Sequence, residues 1–274
     1  MNPTGPIFKY FGGKWRIADW IIDHFPAHDV YVEPFCGAAS VFLRKPLARI
    51  NVLNDLDERI VSVFRVLRDP KKSRRLAHLL YHTPYSRAEY KLCEHMTDDD
   101  VENARRLITA SHQGFGSAGI SKGLFPIWSF STLRDKPGTF LKITGNVRLW
   151  HRKMRSAYLE CADFREVIKD WDSAETLFYC DPPYVAETRS HGKYAKEISD
   201  DDHVKLSDML NSIEGMAIVS GYRSDLYNRL YQGWRRIDRK NQSMTNTKRI
   251  ESIWLSPNCA DVIPDLFSDY EKNS

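Results

Sequence analysis

Apolar positions along this chain switch between two periods. Trp15–Phe25 sets Ile17, Ile21, Ile22 and Phe25 on one helical face, and Pro26 closes it. Residues 30–34 read as a short apolar strand, followed by the turn Phe35-Cys36-Gly37-Ala38-Ala39-Ser40 and a helix to about Arg44. Residues 50–54 form a second strand ending at Asp55, with a helix to about Leu67 after it. The alternation then stops. From Asp69 to about Arg155 the pattern gives helices and a glycine- and aromatic-rich stretch around Gln113–Phe130. Strands resume at 157–161, 176–180 and 216–220, with a helix over 206–213, and the polar turn 241–247 joins two β-segments, 234–239 and 249–255. Strands separated by helices predict an α/β fold with a largely parallel sheet covered on both faces. The expected division is a sheet domain, 1–62 and 157–274, interrupted by a mainly helical insertion, 63–156.

Charge sharpens the division. The formal net charge is only +4, yet residues 63–155 hold 18 Lys/Arg against 8 Asp/Glu. A basic middle in an acidic frame suits a lobe facing a polyanion, and equally suits a solvated helical surface. The five cysteines have no CxxC spacing, so neither a disulfide framework nor a metal site is expected. No apolar run reaches the ~20 residues that span a bilayer, and the first residues lack the blocks of a signal peptide. The expectation is a cytoplasmic protein with no membrane association and no obligate protein partner.

Three segments have the makings of a nucleotide-like site. A strand, a turn containing Gly37 and a helix bring backbone amides close to a ligand, although a tight turn alone needs the same glycine. The turn is not GxGxxG, which argues against a dinucleotide cofactor. Asp55, ending the second strand, is placed to accept from ribose hydroxyls or to cap the following helix. In Phe8-Lys9-Tyr10-Phe11-Gly12-Gly13-Lys14 the glycine pair permits unusual backbone geometry, and Lys14 offers a cation to an amino-acid-like carboxylate.

The sharpest signal is Asp181-Pro182-Pro183-Tyr184, directly after the apolar strand Thr176–Cys180. Two prolines make the segment rigid and leave its carbonyls free to accept. The carboxyl end of a strand is where α/β ligands bind. An aromatic amine such as that of adenine is a poor nucleophile, because its lone pair is delocalised into the ring. The Asp181 carboxylate and the Pro182 carbonyl can hold both N–H groups and aim the lone pair at an electrophile, while Tyr184 offers a stacking face.

Together, residues 9–14, Glu33–Leu43, Asn54-Asp55 and Asp181–Tyr184 resemble the Dam-type DNA adenine-N6 methyltransferases, with Ala162-Asp163-Phe164 and Val219–Tyr222 agreeing more loosely. The resemblance covers about 7–67 and 157–256. It implies a Rossmann-like S-adenosylmethionine-dependent methyltransferase sheet with an inserted, mainly helical DNA-recognition domain. It further implies methyl transfer to N6 of a flipped-out adenine in double-stranded DNA, in a bacterial or phage-infected cell, with S-adenosylmethionine as donor and no metal. By the same resemblance Tyr10 (usually tryptophan in the family) and Lys14 contact the cofactor. Phe35 and Gly37 border its methionine part, Asp55 meets the ribose, and Asp163 and Phe164 flank its adenine. Asp181 touches both cofactor and base. The turn carries alanine where many members have a second glycine.

In the insertion, the Asn-Val-Pro stretch of GATC-reading members is absent, so the target sequence stays open. Candidates for DNA contact are Gln113, Lys122, Arg134, Lys136, Arg152, Lys153 and Arg155. Two other readings share the fold: methylation of an amino-cytosine or of RNA, and a catalytically silent DNA-binding regulator.

Overall fold

A computed structural model describes residues 2–10, 12–115, 127–184, 198–241 and 249–260. The chain builds a seven-stranded sheet: β1 (Val30–Glu33), β2 (Ile50–Asn54), β3 (Tyr158–Glu160), β4 (Thr176–Cys180), β5 (Met216–Tyr222), β6 (Arg235–Asn241) and β7 (Arg249–Leu255). Their spatial order is β3-β2-β1-β4-β5-β7-β6. The first five run parallel, and β7 lies antiparallel between β5 and β6. Strand order therefore reverses between β1 and β4, which opens a crevice at their carboxyl ends.

Helices cover both faces, as the alternating strands and helices require. One face packs against α1 (Ala18–Ile22), α2 (Ser40–Arg44) and α3 (Glu58–Arg68); Tyr31, Leu53, Leu177, Ile218 and Ile253 point into it. The other holds Val32, Val52, Phe178, Cys180 and Val219 against α9 (Phe164–Trp171), α10 (Asp200–Ser212) and α11 (Asp225–Leu230). The last described helix, α12 (Pro257–Ala260), packs against β5.

Between α3 and β3 lie α4 (Pro70–His82), α5 (Arg87–Leu92), α6 (Asp100–Gln113), α7 (Lys136–Thr144) and α8 (Val147–Met154). Aspartates or serines cap α3 to α7: Asp57, Asp69, Ser86, Asp99 and Asp135 each accept a backbone N–H of the first turn. Leu76 and Leu80 of α4, Ile108 of α6, Phe140 of α7 and Trp150 of α8 join the same buried cluster as the sheet residues of the first face. The helical segment is thus docked through a shared core. Among the described residues no helix is long and apolar enough to cross a membrane.

Element boundaries differ from the pattern in one informative place. The helix expected over 15–25 closes as α-helix only at Ala18–Ile22. Both ends tighten to i→i+3 bonds: Ile17 N donates to Lys14 O, His24 N to Ile21 O and Phe25 N to Ile22 O. The apolar face survives, because Ile17 and Ile21 are both buried.

Candidate active site

Period-two alternation explains why polar groups meet at one end of the sheet. On β1, Glu33 shares a side with the buried Tyr31; on β4, Asp181 follows the parity of Leu177 and Tyr179. Ser220 follows Ile218 on β5, and Glu251 shares the side of Ile253 and Leu255 on β7. Registers Cys180↔Val219 and Tyr222↔Glu251 then place these polar residues side by side at the sheet's carboxyl end.

The crevice there opens to solvent. Its walls come from the N-terminal segment (Tyr10, Lys14), the β1–α2 turn (Phe35, Gly37), the end of β2 (Asp55), the start of α9 (Phe164) and the end of β4 (Asp181, Pro183). Seven of the eight cofactor candidates line the crevice on their predicted elements, among them Lys14 and Asp181, which also bond each other. Asp163 does not belong to the wall. It caps α9 through Arg165 N and pairs with the Arg165 guanidinium, which also meets Asp202.

The β1–α2 turn is built to bring backbone close. Gly37 is left-handed (φ +48°), and a Cβ there would stand 3.2 Å from the Tyr10 ring. Asp55 locks this turn: Gly37 N donates to its Oδ2 at 2.8 Å, and Asp57 N to its Oδ1 at 2.8 Å. Helix α3 takes Asp57 as its cap instead, so the capping alternative for Asp55 falls away. Burial raises the Asp55 carboxyl to about 6. The alanine in place of a second glycine has a visible consequence, since Ala39 is itself left-handed (φ +49°). That conformation costs a non-glycine residue about 1–2 kcal/mol.

Lys14 enters from the glycine pair. Gly12 is left-handed (φ +74°), and Gly13 N closes a turn on Tyr10 O. The ammonium group is buried at 3% exposure and uses three donors on Gly12 O (2.8 Å), Asp181 Oδ1 (2.6 Å) and the Tyr184 hydroxyl (2.5 Å). Three is all an ammonium has, so the structure directs Lys14 at protein acceptors and not at a ligand carboxylate. Ser220 Oγ also donates to Asp181 Oδ1 (2.8 Å), and the Tyr179 hydroxyl lies 3.0 Å from Ser220 Oγ. Asp181 Oδ1 is therefore doubly held, Oδ2 has no hydrogen-bond partner among the described residues, and Asp181 lines the crevice.

Pro182 and Tyr184 are buried behind the wall. The Tyr184 ring packs at 4.6 Å on Tyr222, under Lys14. Below them Glu33 accepts from the Tyr31 hydroxyl and Phe42 N. Burial pushes its carboxyl up to about 8, further raised by nearby Asp181. Tyr179, Ser220 and Glu251 escaped the reading of the sequence. For Glu251 a signal existed: an acid on the core-facing parity of an apolar strand.

The DNA-contact candidates scatter. Gln113 is fully buried, with Nε2 donating to Pro84 O. Lys122 lies outside the described residues. Arg134 is exposed; Lys136 bonds Ser129 Oγ and stands close enough to Lys9, beside Tyr10, to help burial lower the Lys9 ammonium. Lys153 is turned inward: Nζ donates to Lys45 O at 2.6 Å, and burial lowers it to about 8. Arg152 and Arg155 are exposed, but flank that contact just ahead of β2, at the amino end of the sheet. The crevice is at the other end.

Comparison with known proteins now completes the picture. The family model described as D12 class N6 adenine-specific DNA methyltransferase matches residues 10–109 and 139–246. The DNA adenine methylase of Haemophilus influenzae is 25% identical over 247 residues, 83% of each chain. Type II methyltransferase M.MjaIII of Methanocaldococcus jannaschii is 22% identical over 266 residues, 84% of this chain and 88% of the relative. The Escherichia coli DNA adenine methylase is 25% identical over 191 residues, and the match spans 66% of that relative's length. Both matched blocks carry crevice walls, and the break between them falls at 110–138 within the helical segment. The chain belongs to the D12 class N6 adenine-specific DNA methyltransferase family.

Proposed function

We propose that this protein transfers a methyl group from S-adenosylmethionine to the N6 amino group of a flipped-out adenine in double-stranded DNA, directly and without a covalent enzyme intermediate. The observation that carries this reading is the Asp181 carboxylate: it lines the crevice, and its Oδ1 is fixed by Lys14 and Ser220.

The crevice fits the donor. Gly37 leaves, against Tyr10, a backbone surface that any Cβ would fill. The Phe35 and Phe164 rings, 5.2 Å apart, offer an apolar wall for an adenine ring. Tyr10, Phe35, Gly37, Asp55 and Phe164 would hold the cofactor, with Asp55 accepting from the ribose while it locks the turn. When bound, S-adenosylmethionine supplies an electrophilic methyl group on a sulfonium.

The chain's own part is to prepare the nucleophile. Asp181 Oδ2 accepts one N6–H and favours a tetrahedral nitrogen; the Pro182 carbonyl takes the second N–H. As N6 gains its fourth bond it becomes acidic, and Asp181 is the nearest base to take the proton. Lys14 and Ser220 cost the carboxylate no reorganisation, because both are in place beforehand. The helical segment 63–156 serves DNA recognition, with Lys136 and Arg134 as phosphate contacts.

Methyl transfer from labelled S-adenosylmethionine tests the reading. Unmethylated duplex DNA should accept label at N6 of adenine, and the same DNA premethylated in cells expressing the protein should not. Label on cytosine, or preferential labelling of RNA, would replace the proposed substrate. No label on any nucleic acid would leave the silent regulator.

A further inference from the structure

Glu251 belongs to none of the motifs singled out above, yet it completes the buried polar cluster. It sits on β7 opposite Tyr222 of β5 and is 7% exposed. Its Oε2 accepts from the Tyr184 hydroxyl at 3.3 Å, and the Tyr222 side chain bonds the same carboxyl group. The Tyr184 hydroxyl in turn receives Lys14 Nζ, which holds Asp181 Oδ1. The chain of contacts runs Glu251, Tyr184, Lys14, Asp181, with one lysine between two carboxylates. Burial is the main influence raising the Glu251 carboxyl, with Asp181 adding to it and Lys14 opposing it.

Such an arrangement has a directional logic. The Tyr184 hydroxyl can accept from Lys14 only if its own proton goes elsewhere, and Glu251 is that acceptor. Remove it, and the phenol competes with Lys14 for the same acceptors or turns away. The ammonium then loses one of three fixed partners, and its hold on Asp181 loosens. A misdirected carboxylate at a reacting centre costs rate even when ligands still bind.

We propose that Glu251 is a positioning residue: through the Tyr184 hydroxyl it orients Lys14, and through Lys14 the Asp181 oxygen that faces the target amino group. This rests on Asp181 acting as proposed above. It also gives the β6–β7 hairpin, which contributes nothing to the crevice wall among the described residues, a role in the chemistry.

The test compares Glu251→Gln and Glu251→Ala in the full chain. Gln keeps an oxygen acceptor of the same reach; Ala removes it. Expected is a fall in kcat of about 10- to 100-fold for Glu251→Ala, the effect of one lost charge-assisted hydrogen bond. KM for S-adenosylmethionine should stay within about threefold, and Glu251→Gln should recover most of kcat. A second readout needs no methyl donor: duplex DNA with 2-aminopurine at the target adenine. Glu251→Ala should bind it with parental affinity but with a smaller fluorescence change, because the base is held less firmly. Parental kcat in Glu251→Ala would overturn the inference, and so would equal kcat losses in Ala and Gln with parental 2-aminopurine signals. A parent protein that methylates no DNA would instead overturn the proposed function.

Discussion

Two buried lysines mark the difference between the carboxyl end of the sheet and the helical segment that covers its first face. Lys14 is held by a carboxylate, a phenol and a carbonyl at the crevice wall. Among the described residues, Lys153 of α8 meets a carbonyl and the Phe42 ring, and burial lowers its ammonium. A buried charge with a full set of partners is a preorganised part of a site. A buried charge without a counter-ion shifts towards neutrality and serves packing. Both are lysines that the sequence offered as contacts for a ligand or for DNA; their partners separate them.

The largest expected effect tests the crevice side. Asp181→Asn should lower methyl transfer by roughly 10³-fold while the protein remains folded, since the amide still reaches Ser220. Asp181→Ala should also destabilise, because it strands the buried Lys14 ammonium. Activity within tenfold of the parent in the Asn variant, at intact melting temperature, would remove Asp181 from the chemistry. Asp55→Ala comes next. It removes both the ribose acceptor and the lock on Gly37, so calorimetry should find S-adenosylmethionine binding weakened by about 10- to 100-fold with DNA affinity little changed. Unaltered cofactor affinity would leave Asp55 only its backbone contacts.

The third prediction concerns pH. Glu33 has a folded value of about 8 against an ordinary 4.5, so the folded state binds its proton more tightly. Its stabilising effect is complete below pH 4.5, declines as pH rises and is lost above about 8, by up to about 1.4 kcal/mol per unit. Melting temperatures between pH 5 and 8.5 should fall for the parent, and the slope should flatten in Glu33→Gln; parallel slopes would refute this. On the helical side, neutralising Arg134 and Lys136 together should flatten the log–log salt dependence of DNA affinity by about one to two units. Neutralising Arg152 and Arg155 should leave the slope within about 0.3, because they stand at the opposite end of the sheet. Equal flattening by both pairs would mean that DNA reaches around the molecule. The smallest effect is Ala39→Gly, which should gain about 0.5 kcal/mol in denaturant unfolding, relief of a left-handed alanine less the extra freedom of the unfolded chain.

The sequence by itself determined the sheet and the crevice. The apolar runs at 30–34, 50–54, 176–180 and 216–220 are local, and two of them end beside residues the site uses, Asp55 and Asp181. The turn at Gly37 is legible for the same reason, since its chemistry is a property of consecutive residues. Only the tertiary structure decided which charges act. Asp55 could cap a helix or face a ribose until Asp57 took the cap. Gln113 and Lys153 looked like surface contacts until packing turned them inward, because a helix shows its pattern in sequence but not which neighbours cover each face. Glu251 lies 70 residues beyond Asp181, and nothing short of the β5–β7 register brings it to Tyr184 and Lys14. A hydrogen-bond network is a relation between distant strands, and it exists only once those strands are side by side.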